Sequence, residues 1–402
     1  MLTQICVITG QPLANLIPIL HLKPQKIIIV VTKGFKHKSK EFRTILIDLG
    51  ITQSITMLDG CPDTGLQQIG EYIDHKLLPL LPPEPCDVNI TGGTKMHSFS
   101  IYEKLRQRGF DDKFIYVDTQ NRLLEFYPTD NSPSFNQPLP TVLDAEMTLK
   151  GMGKTFIRAE SDSEDWVNRV RKYEPLTRWL AQNINDKNVQ NLIGDINGLV
   201  NIAYKGGKKD ILMPKPLQLH QVPKGQAVLL LEQAHDLKLT EWQGGKNIAF
   251  SHYDQSRYLT GSWIEQYVWL IAQDIGFEEI YSSLEFGNMG QPTEKNRAKN
   301  EIDLFIQHAN AALAIECKSA TATNNADTSQ NMFHKLTGVA NRAGGLLCSK
   351  LFVSAFSLKQ RDGRDIASVY HAKEQNIKVV QSAELIDELP DILRKWKETG
   401  RL

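Results

Sequence analysis

The feature that most constrains the fold is an alternation of apolar, strand-like runs with helix-compatible segments near the start of the chain. Strand-like runs occupy residues 5–9, 26–32, 55–58, 87–91 and 114–118, with helical segments at 14–20, 42–49, 66–81 and 96–108 between them. A continuous apolar run such as 26–32 is typical of a strand buried on both faces of a parallel sheet. The alternation therefore predicts an α/β domain with a parallel, doubly wound sheet and right-handed crossovers.

Two changes of pattern divide the rest of the chain. Prolines 128, 133, 138 and 140 indicate a β-rich exit and a linker, and residues 146–249 show mainly helical spacing without a clear order of elements. From residue 250 a second α/β pattern begins, with a helix at 261–275, a strand at 280–284 and a hairpin formed by 302–306 and 311–317. We predict three domains: 1–145, a mainly helical or winged-helix-like connector at 146–249, and 250–402.

Composition excludes several classes of protein. The 402 residues contain 46 Lys+Arg and 46 Asp+Glu, so the formal net charge is zero and a protein that coats polyanions generally is disfavoured. The 5 cysteines are scattered and include no C-x-x-C pair, which argues against a disulfide framework or a zinc site and fits a reducing cytosol. No apolar run approaches the ~18 residues of a membrane span. We expect a soluble, cytoplasmic protein that does not contact a membrane.

Charged residues of the C-terminal third fall where the predicted hairpin brings them together. Side chains alternate along a strand, so Glu316 and Lys318 share one face while Cys317 points toward the core. Asp303 lies on the partner strand, and Glu265 lies on the preceding helix, on its polar side. Carboxylate oxygens are the ligands that Mg²⁺ and Mn²⁺ prefer. We predict that Glu265, Asp303, Glu316 and Cys317 contact a metal and that Lys318 orients a water or neutralises charge on a phosphate.

A Glu two residues before a Lys is common and, alone, indicates only a solvated pair on an edge strand. Here the pair ends an apolar strand after a hairpin that carries an Asp, and a helix precedes the whole group. This order resembles the PD-(D/E)xK nuclease fold, the restriction-endonuclease-like core, over about residues 255–385. The resemblance implies that Glu265, Asp303, Glu316 and Lys318 are catalytic in metal-dependent phosphodiester hydrolysis. Lys335, on the next helix, either touches substrate or lies on a solvated face.

The most distinctive motif of the chain is the sequence Asn-Ile-Thr-Gly-Gly-Thr-Lys-Met at 89–96, which leaves a strand and enters a helix. Its two glycines let backbone amides approach a ligand, and a helix N-terminus favours an anion. It is neither a P-loop nor a G-x-G-x-x-G fingerprint. The turns after the first two strands, at 9–12 and 32–35, lie at the same edge of a doubly wound sheet, where ligands bind.

After such a Rossmann-like start, this motif resembles the CARF domain, the sensor of cyclic oligoadenylates in type III CRISPR systems. The order CARF domain, connector and PD-(D/E)xK domain is similar to CRISPR ancillary nucleases activated by cyclic tetra-adenylate. The resemblance implies a homodimer with the ligand across its two-fold axis. It places these residues at or beside the ligand: Thr9, Gly10, Gln11, Thr32, Lys33, Thr91, Gly92, Gly93, Thr94, Lys95 and Met96.

The resulting prediction is a divalent-metal-dependent nuclease that cyclic tetra-adenylate activates, with Mn²⁺ or Mg²⁺ as cofactor, in the cytoplasm of a prokaryote. Neutral overall charge favours nucleic-acid contacts confined to a cleft, and DNA is the favoured substrate, with RNA possible. Two alternatives remain: a CARF sensor or regulator without nuclease activity, and a ring nuclease that degrades its own cyclic ligand.

Overall fold

A computed structural model of the chain describes residues 2–8, 10–51, 54–109, 111–130, 132–203, 216–291, 300–319, 326–359, 362–382 and 384–402, with side chains for all but 326–330. The described residues form a 7-stranded sheet, a 6-stranded sheet and a small 2-stranded sheet. The chain divides into two compact units. One comprises residues 1–156, 287–292 and 342–347, and the other 157–286, 293–341 and 348–402.

The first unit is built on the 7-stranded sheet, in the order β3-β2-β1-β4-β5-β6-β7. Its elements are β1 (Thr3–Val7), α1 (Pro12–Leu22), β2 (Lys26–Thr32), α2 (Lys36–Asp48), β3 (Ser54–Cys61), α3 (Leu66–Tyr72), β4 (Cys86–Asn89), α4 (Lys95–Arg106), β5 (Lys113–Asp118), β6 (Leu123–Pro128), β7 (Phe135–Pro138) and α5 (Ala145–Gly151). Strands β1 to β5 are parallel, whereas β6 and β7 extend the sheet antiparallel. The predicted doubly wound sheet is confirmed.

Both faces of this sheet are covered, which explains the continuous apolar run of β2. Ile27 and Ile29 pack in a core with Leu16 of α1, while Ile28 and Val30 pack in a second core on the opposite face. The strand order reverses between β1 and β4, so the loops that follow these two strands meet at the same edge of the sheet. That edge carries the glycine-rich motif.

The second unit is built mainly on the 6-stranded sheet, in the order β15-β14-β13-β12-β11-β8. The remaining elements of the chain are β8 (Lys154–Arg158), α6 (Glu164–Asn183), α7 (Lys187–Ala203), β9 (Leu217–Gln218), α8 (Gln226–Asp236), β10 (Asn247–Ile248), α9 (Tyr253–Arg257), α10 (Trp263–Asp274), β11 (Glu279–Asn288), β12 (Asn300–His308), β13 (Ala311–Lys318), α11 (Ala326–Ala343), β14 (Cys348–Ser354), α12 (Ala367–Glu374), β15 (Ile377–Gln381), α13 (Glu384–Asp387) and α14 (Leu389–Thr399). Strands β13, β14 and β15 are parallel, and β11, β12 and β13 are antiparallel.

The middle of the chain is helical, as predicted. Helices α6, α7 and α8 do not form a separate unit, because Val170, Ile193 and Leu231 share one hydrophobic core with Trp263 and Leu270 of α10. The division into three domains at 145 and 249 stays a prediction. In the described part of the chain, no helix combines the length and apolar character that crossing a membrane requires.

Candidate active site and ligand-binding loops

A tight hairpin sets the register of the candidate active site. Ala309 and Asn310, at φ +47° and +66°, join β12 to β13 in the left-handed turn that a two-residue hairpin prefers. The pairing of Leu304 with Ile315 then places Asp303 opposite Glu316, one step further along the strands. Side chains of residues directly opposite each other lie on the same face of a sheet. The hairpin thus brings the two carboxylates to one place, as the sequence predicted.

Lys318 bridges these carboxylates. Its Nζ lies 2.5 Å from Oε1 of Glu316 and 3.6 Å from Oδ2 of Asp303. The Cys317 amide donates a hydrogen bond of 2.7 Å to the same Asp303 oxygen, which fixes that carboxylate against β13. From α11, the Lys335 ammonium approaches Oε1 of Glu316 to 3.8 Å. Of the two readings for Lys335, the structure supports a position at the site.

Helix α10 is held close to the end of β13. The Ser319 hydroxyl, one residue after Lys318, donates to the Thr260 carbonyl at 2.5 Å. Gly261 lies beside this contact, and a Cβ there would be 3.4 Å from Ser319 Oγ, an ordinary van der Waals distance. This contact brings the first turn of α10, with Glu265, beside the strand that carries Glu316.

The environment of the site destabilises the charged forms of Asp303 and Glu265. Burial, and then the negative charge of Glu316, raises the pKa of Asp303 to about 6. Burial, and then Asp303, raises the pKa of Glu265 to about 8. Burial alone would lower the pKa of Lys318, but the charges of Asp303 and Glu316 outweigh it and raise that pKa. Lys318 therefore stays protonated at neutral pH.

This donor set fits a hard divalent cation. Among the described residues no three His, Cys, Asp or Glu side chains converge on one point, so a cation would be held by one or two carboxylates together with water and substrate. That is the way Mg²⁺ is usually bound at phosphoryl-transfer sites. The pKa of the Cys317 thiol is well above its usual value because of burial, so a thiolate ligand is disfavoured. The assignment of Cys317 as a metal contact stays a prediction.

In the first unit the glycine-rich loop is tied down by a residue that the sequence analysis missed. The imidazole Nδ1 of His97 accepts a hydrogen bond of 3.1 Å from the Thr94 amide, and its Nε2 lies 2.8 Å from the Pro62 carbonyl. Because an amide can only donate, Nδ1 must be the acceptor and Nε2 carries the proton that the carbonyl accepts. Thr94 and His97 have the spacing of a capping box, and this spacing was the sequence signal that could have identified His97. Gly93 is required nearby, since its φ is +82° and a Cβ would lie 3.1 Å from Val7.

A second hydrogen-bond network stabilises the backbone at the ends of strands β4 and β5. The Asn89 side chain donates to the Ala14 carbonyl at 2.9 Å and accepts from the Thr91 amide at 3.0 Å. The Thr91 hydroxyl accepts from the Val117 amide at 2.8 Å. Asn89 and Thr91 thus shape the ends of strands β4 and β5, and the assignment of Thr91 as a ligand contact stays a prediction.

The other predicted ligand positions differ in exposure. Thr94, Lys95, Met96 and Lys33 are exposed at the edge of the sheet where the loops meet, whereas Gly92 and Thr32 are buried. Gly10 and Gln11 are partly exposed in the loop after β1, and Thr9 lies outside the described residues. The basic and glycine positions around the loops are compatible with an anionic ligand.

Comparison with known families decides the relationship. A model described as the Card1 CARF domain matches residues 3–142, and a model described as the Card1-like endonuclease domain matches residues 252–400. The chain belongs to the Card1-like CARF endonucleases. The CARF match includes the Thr-Gly-Gly-Thr-Lys loop, and the endonuclease match includes Asp303, Glu316 and Lys318. The roles of these residues in ligand binding and catalysis stay predictions.

Solved structures share the fold of this CARF endonuclease. Can2 from Sulfobacillus thermosulfidooxidans, in complex with cyclic tetra-adenylate, is 19% identical with a TM-score of 0.72 over 96% of this chain and 97% of that chain. A protein from Vibrio cholerae is 18% identical with a TM-score of 0.76 over 100% and 99%. A type III CRISPR defence DNA nuclease activated by cyclic oligoadenylate is 15% identical with a TM-score of 0.50 over 94% and 48%. No curated protein matches the chain significantly.

Proposed function

We propose that this CARF endonuclease is a nuclease of type III CRISPR defence that cyclic tetra-adenylate activates and that cleaves DNA with Mn²⁺ or Mg²⁺. The observation that carries the proposal is the group formed by Asp303, Glu316 and Lys318 at the end of a hairpin, in a chain that also carries a CARF domain. The complex of Can2 with cyclic tetra-adenylate supports the activator, and the related DNA nuclease supports the substrate.

The proposed mechanism assigns one task to each residue. Asp303 and Glu316 would hold the divalent cation together with water and substrate, and the assignment of Glu265 as a third metal ligand stays a prediction. When bound, such a cation lowers the pKa of a water and clamps a phosphate oxygen. Lys318 stays protonated, so it donates hydrogen bonds and offsets negative charge on the phosphate instead of removing a proton. The Cys317 amide keeps Asp303 in place through its 2.7 Å hydrogen bond.

The proposed ligand site lies at a two-fold axis between two copies of the chain. Helix α4, which follows the glycine-rich loop, exposes Met96, Phe99 and Tyr102 at intervals of three residues. Residues three apart lie on neighbouring positions of one helix face, and an exposed apolar face beside a binding loop is typical of an interface. A homodimer through α4 would bring two copies of Lys95 to one cyclic ligand.

Cleavage assays test the proposal. Labelled single-stranded DNA, plasmid DNA and RNA are incubated with Mn²⁺, with and without cyclic tetra-adenylate. We expect ligand-dependent DNA cleavage that Asp303→Asn reduces by about 10²-fold or more, as loss of a group that acts in the transition state does. The control Asp391→Asn, an exposed carboxylate on α14, should cleave normally.

Two outcomes would contradict the proposal. One is cleavage by Asp303→Asn at the rate of the unmodified protein under saturating Mn²⁺, which would remove this site from the chemistry. The other is an absence of cleavage of every nucleic acid, with loss of the cyclic ligand from the same reaction, which would identify a ring nuclease.

A further inference from the structure

A cavity in the second unit lies beside Glu265 and has no part in the mechanism above. Its volume is about 290 Å³, and it is lined by residues of α6, α9 and α10. Two of them, Ser262 and Gln266, flank Glu265 along the chain. Since Ser262 precedes Glu265 by three residues, one helical turn, the two residues are neighbours on the helix surface. The cavity therefore begins next to the candidate active site.

Several polar groups that line this cavity make no hydrogen bond to other described residues. Arg169 and Arg257 both line it, and in the part of the chain that the structure describes neither guanidinium has a hydrogen-bond or ion-pair partner. Gln266 is only 5% exposed, and its side-chain oxygen is buried without a donor among the described residues. Leaving a buried acceptor unpaired costs about 1–3 kcal/mol, so a ligand that donates to it gains affinity.

The mixture of charges distinguishes a nucleotide from a simple anion. Two carboxylates, Glu160 and Asp254, line the same cavity as the two arginines. Carboxylate and amide oxygens accept hydrogen bonds from the amino groups of bases, whereas guanidinium groups bind phosphate, often through two bonds. The ring of Tyr173, which also lines the cavity, supplies an apolar wall.

We propose that this cavity is a subsite for one unpaired nucleotide of the substrate strand, adjacent to the phosphate that is cut. Arg169 and Arg257 bind the strand's phosphates, and Gln266 accepts a hydrogen bond from the base. The proposal rests on the proposed nuclease function. A volume near the lower limit of about 300 Å³ for small-molecule sites admits one nucleotide and no duplex. A paired base must leave its stack to enter, so the subsite favours single-stranded or locally opened substrate.

Steady-state cleavage of labelled single-stranded DNA, with Mn²⁺ and cyclic tetra-adenylate, tests the subsite. Arg169 is the cleaner target, because the charge of Arg257 also acts on Glu265. We expect Arg169→Ala to raise KM about tenfold, since loss of one charge-assisted phosphate contact costs about 1.4 kcal/mol. The change in kcat should stay within about twofold, as for an interaction equal in ground and transition states. Arg169→Lys should restore part of the affinity and also guards against misfolding.

The matched control is Lys395→Ala, which removes one positive charge from an exposed position on α14 of the same unit. It should leave KM unchanged. Inorganic phosphate should compete only weakly with DNA, because it can bind the two guanidinium groups but cannot replace the base at the side-chain oxygen of Gln266.

A second experiment uses DNA that lacks one base, with the abasic position moved along the strand. For the unmodified protein, KM should rise when the missing base is at one particular position of the strand. For Gln266→Leu, KM should already be raised with intact DNA, and removing the base at that position should not raise it further. An equal KM for Arg169→Ala and Lys395→Ala, or an abasic effect that Gln266→Leu leaves intact, would overturn the subsite. Absence of any cleavage by the unmodified protein would instead overturn the proposed nuclease function.

Discussion

At the scale of single residues, the candidate active site reduces the stability of the metal-free protein. Glu265 holds a proton that the unfolded chain has released, because its pKa is raised from 4.5 to about 8 by burial and then by Asp303. The native state therefore binds more protons than the unfolded state between these two values, and the free energy of unfolding falls as pH rises through that window. The buried, closely spaced carboxylates thus lower the free energy of unfolding of the metal-free protein, and the same negative charge favours the binding of a cation.

Glu265→Gln tests this inference. Without added metal, the melting temperature of the unmodified protein should fall between pH 5 and pH 8 by several degrees more than that of the variant, since one pKa unit is about 1.4 kcal/mol. Mn²⁺ should recover more of the loss in the unmodified protein than in the variant, which keeps Asp303 and Glu316 but has less stability to recover. Asp391→Asn, at an exposed carboxylate, is the control and should follow the unmodified protein. Equal pH slopes for Glu265→Gln and the unmodified protein would show that Glu265 is not the destabilising group.

At the scale of elements, the exposed face of α4 predicts the dimer. Phe99→Glu should convert the dimer to a monomer, because a charge cannot be buried in an apolar interface without a partner. Light scattering during size-exclusion chromatography measures the mass, and calorimetry measures binding of cyclic tetra-adenylate, which should weaken as well. Ile47→Glu, at an exposed apolar residue of α2, is the matched control. A dimeric Phe99→Glu variant with unchanged ligand affinity would exclude α4 as the interface.

Helix α11 suggests how a ligand signal is transmitted. It carries Lys335 near Glu316 and ends at Ala343. Residues 342–347 belong to the first unit, where the Leu346 amide donates to Oε1 of Gln11 at 3.4 Å. Gly345 has φ +57°, and a Cβ there would lie 3.0 Å from the same Gln11 oxygen. Gly345→Ala should therefore disturb Gln11 and lower the stimulation of cleavage by cyclic tetra-adenylate, measured as the ratio of rates with and without ligand. Gly194→Ala, where a Cβ meets open space, should keep the normal ratio.

At the scale of the whole molecule, we expect the ligand to act by favouring one arrangement of the protein over another. The predicted ligand loops belong to the first unit and Asp303 to the second. Cleavage should depend on cyclic tetra-adenylate even at saturating Mn²⁺, and small-angle scattering should change when the ligand is added. Equal rates and identical scattering profiles with and without ligand would indicate a constitutive nuclease.

The sequence by itself determined the parallel sheet, the hairpin and the shared face of Glu316 and Lys318, because these follow from the period of a strand and from turn chemistry. Only the tertiary structure decided that Lys335 approaches Glu316 and that His97 holds the glycine-rich loop to Pro62. It also decided which residues line the cavity beside Glu265. Such contacts join residues far apart along the chain, and no local pattern encodes them. Local periodicity thus predicted the elements that carry the candidate site, and long-range packing determined what surrounds it.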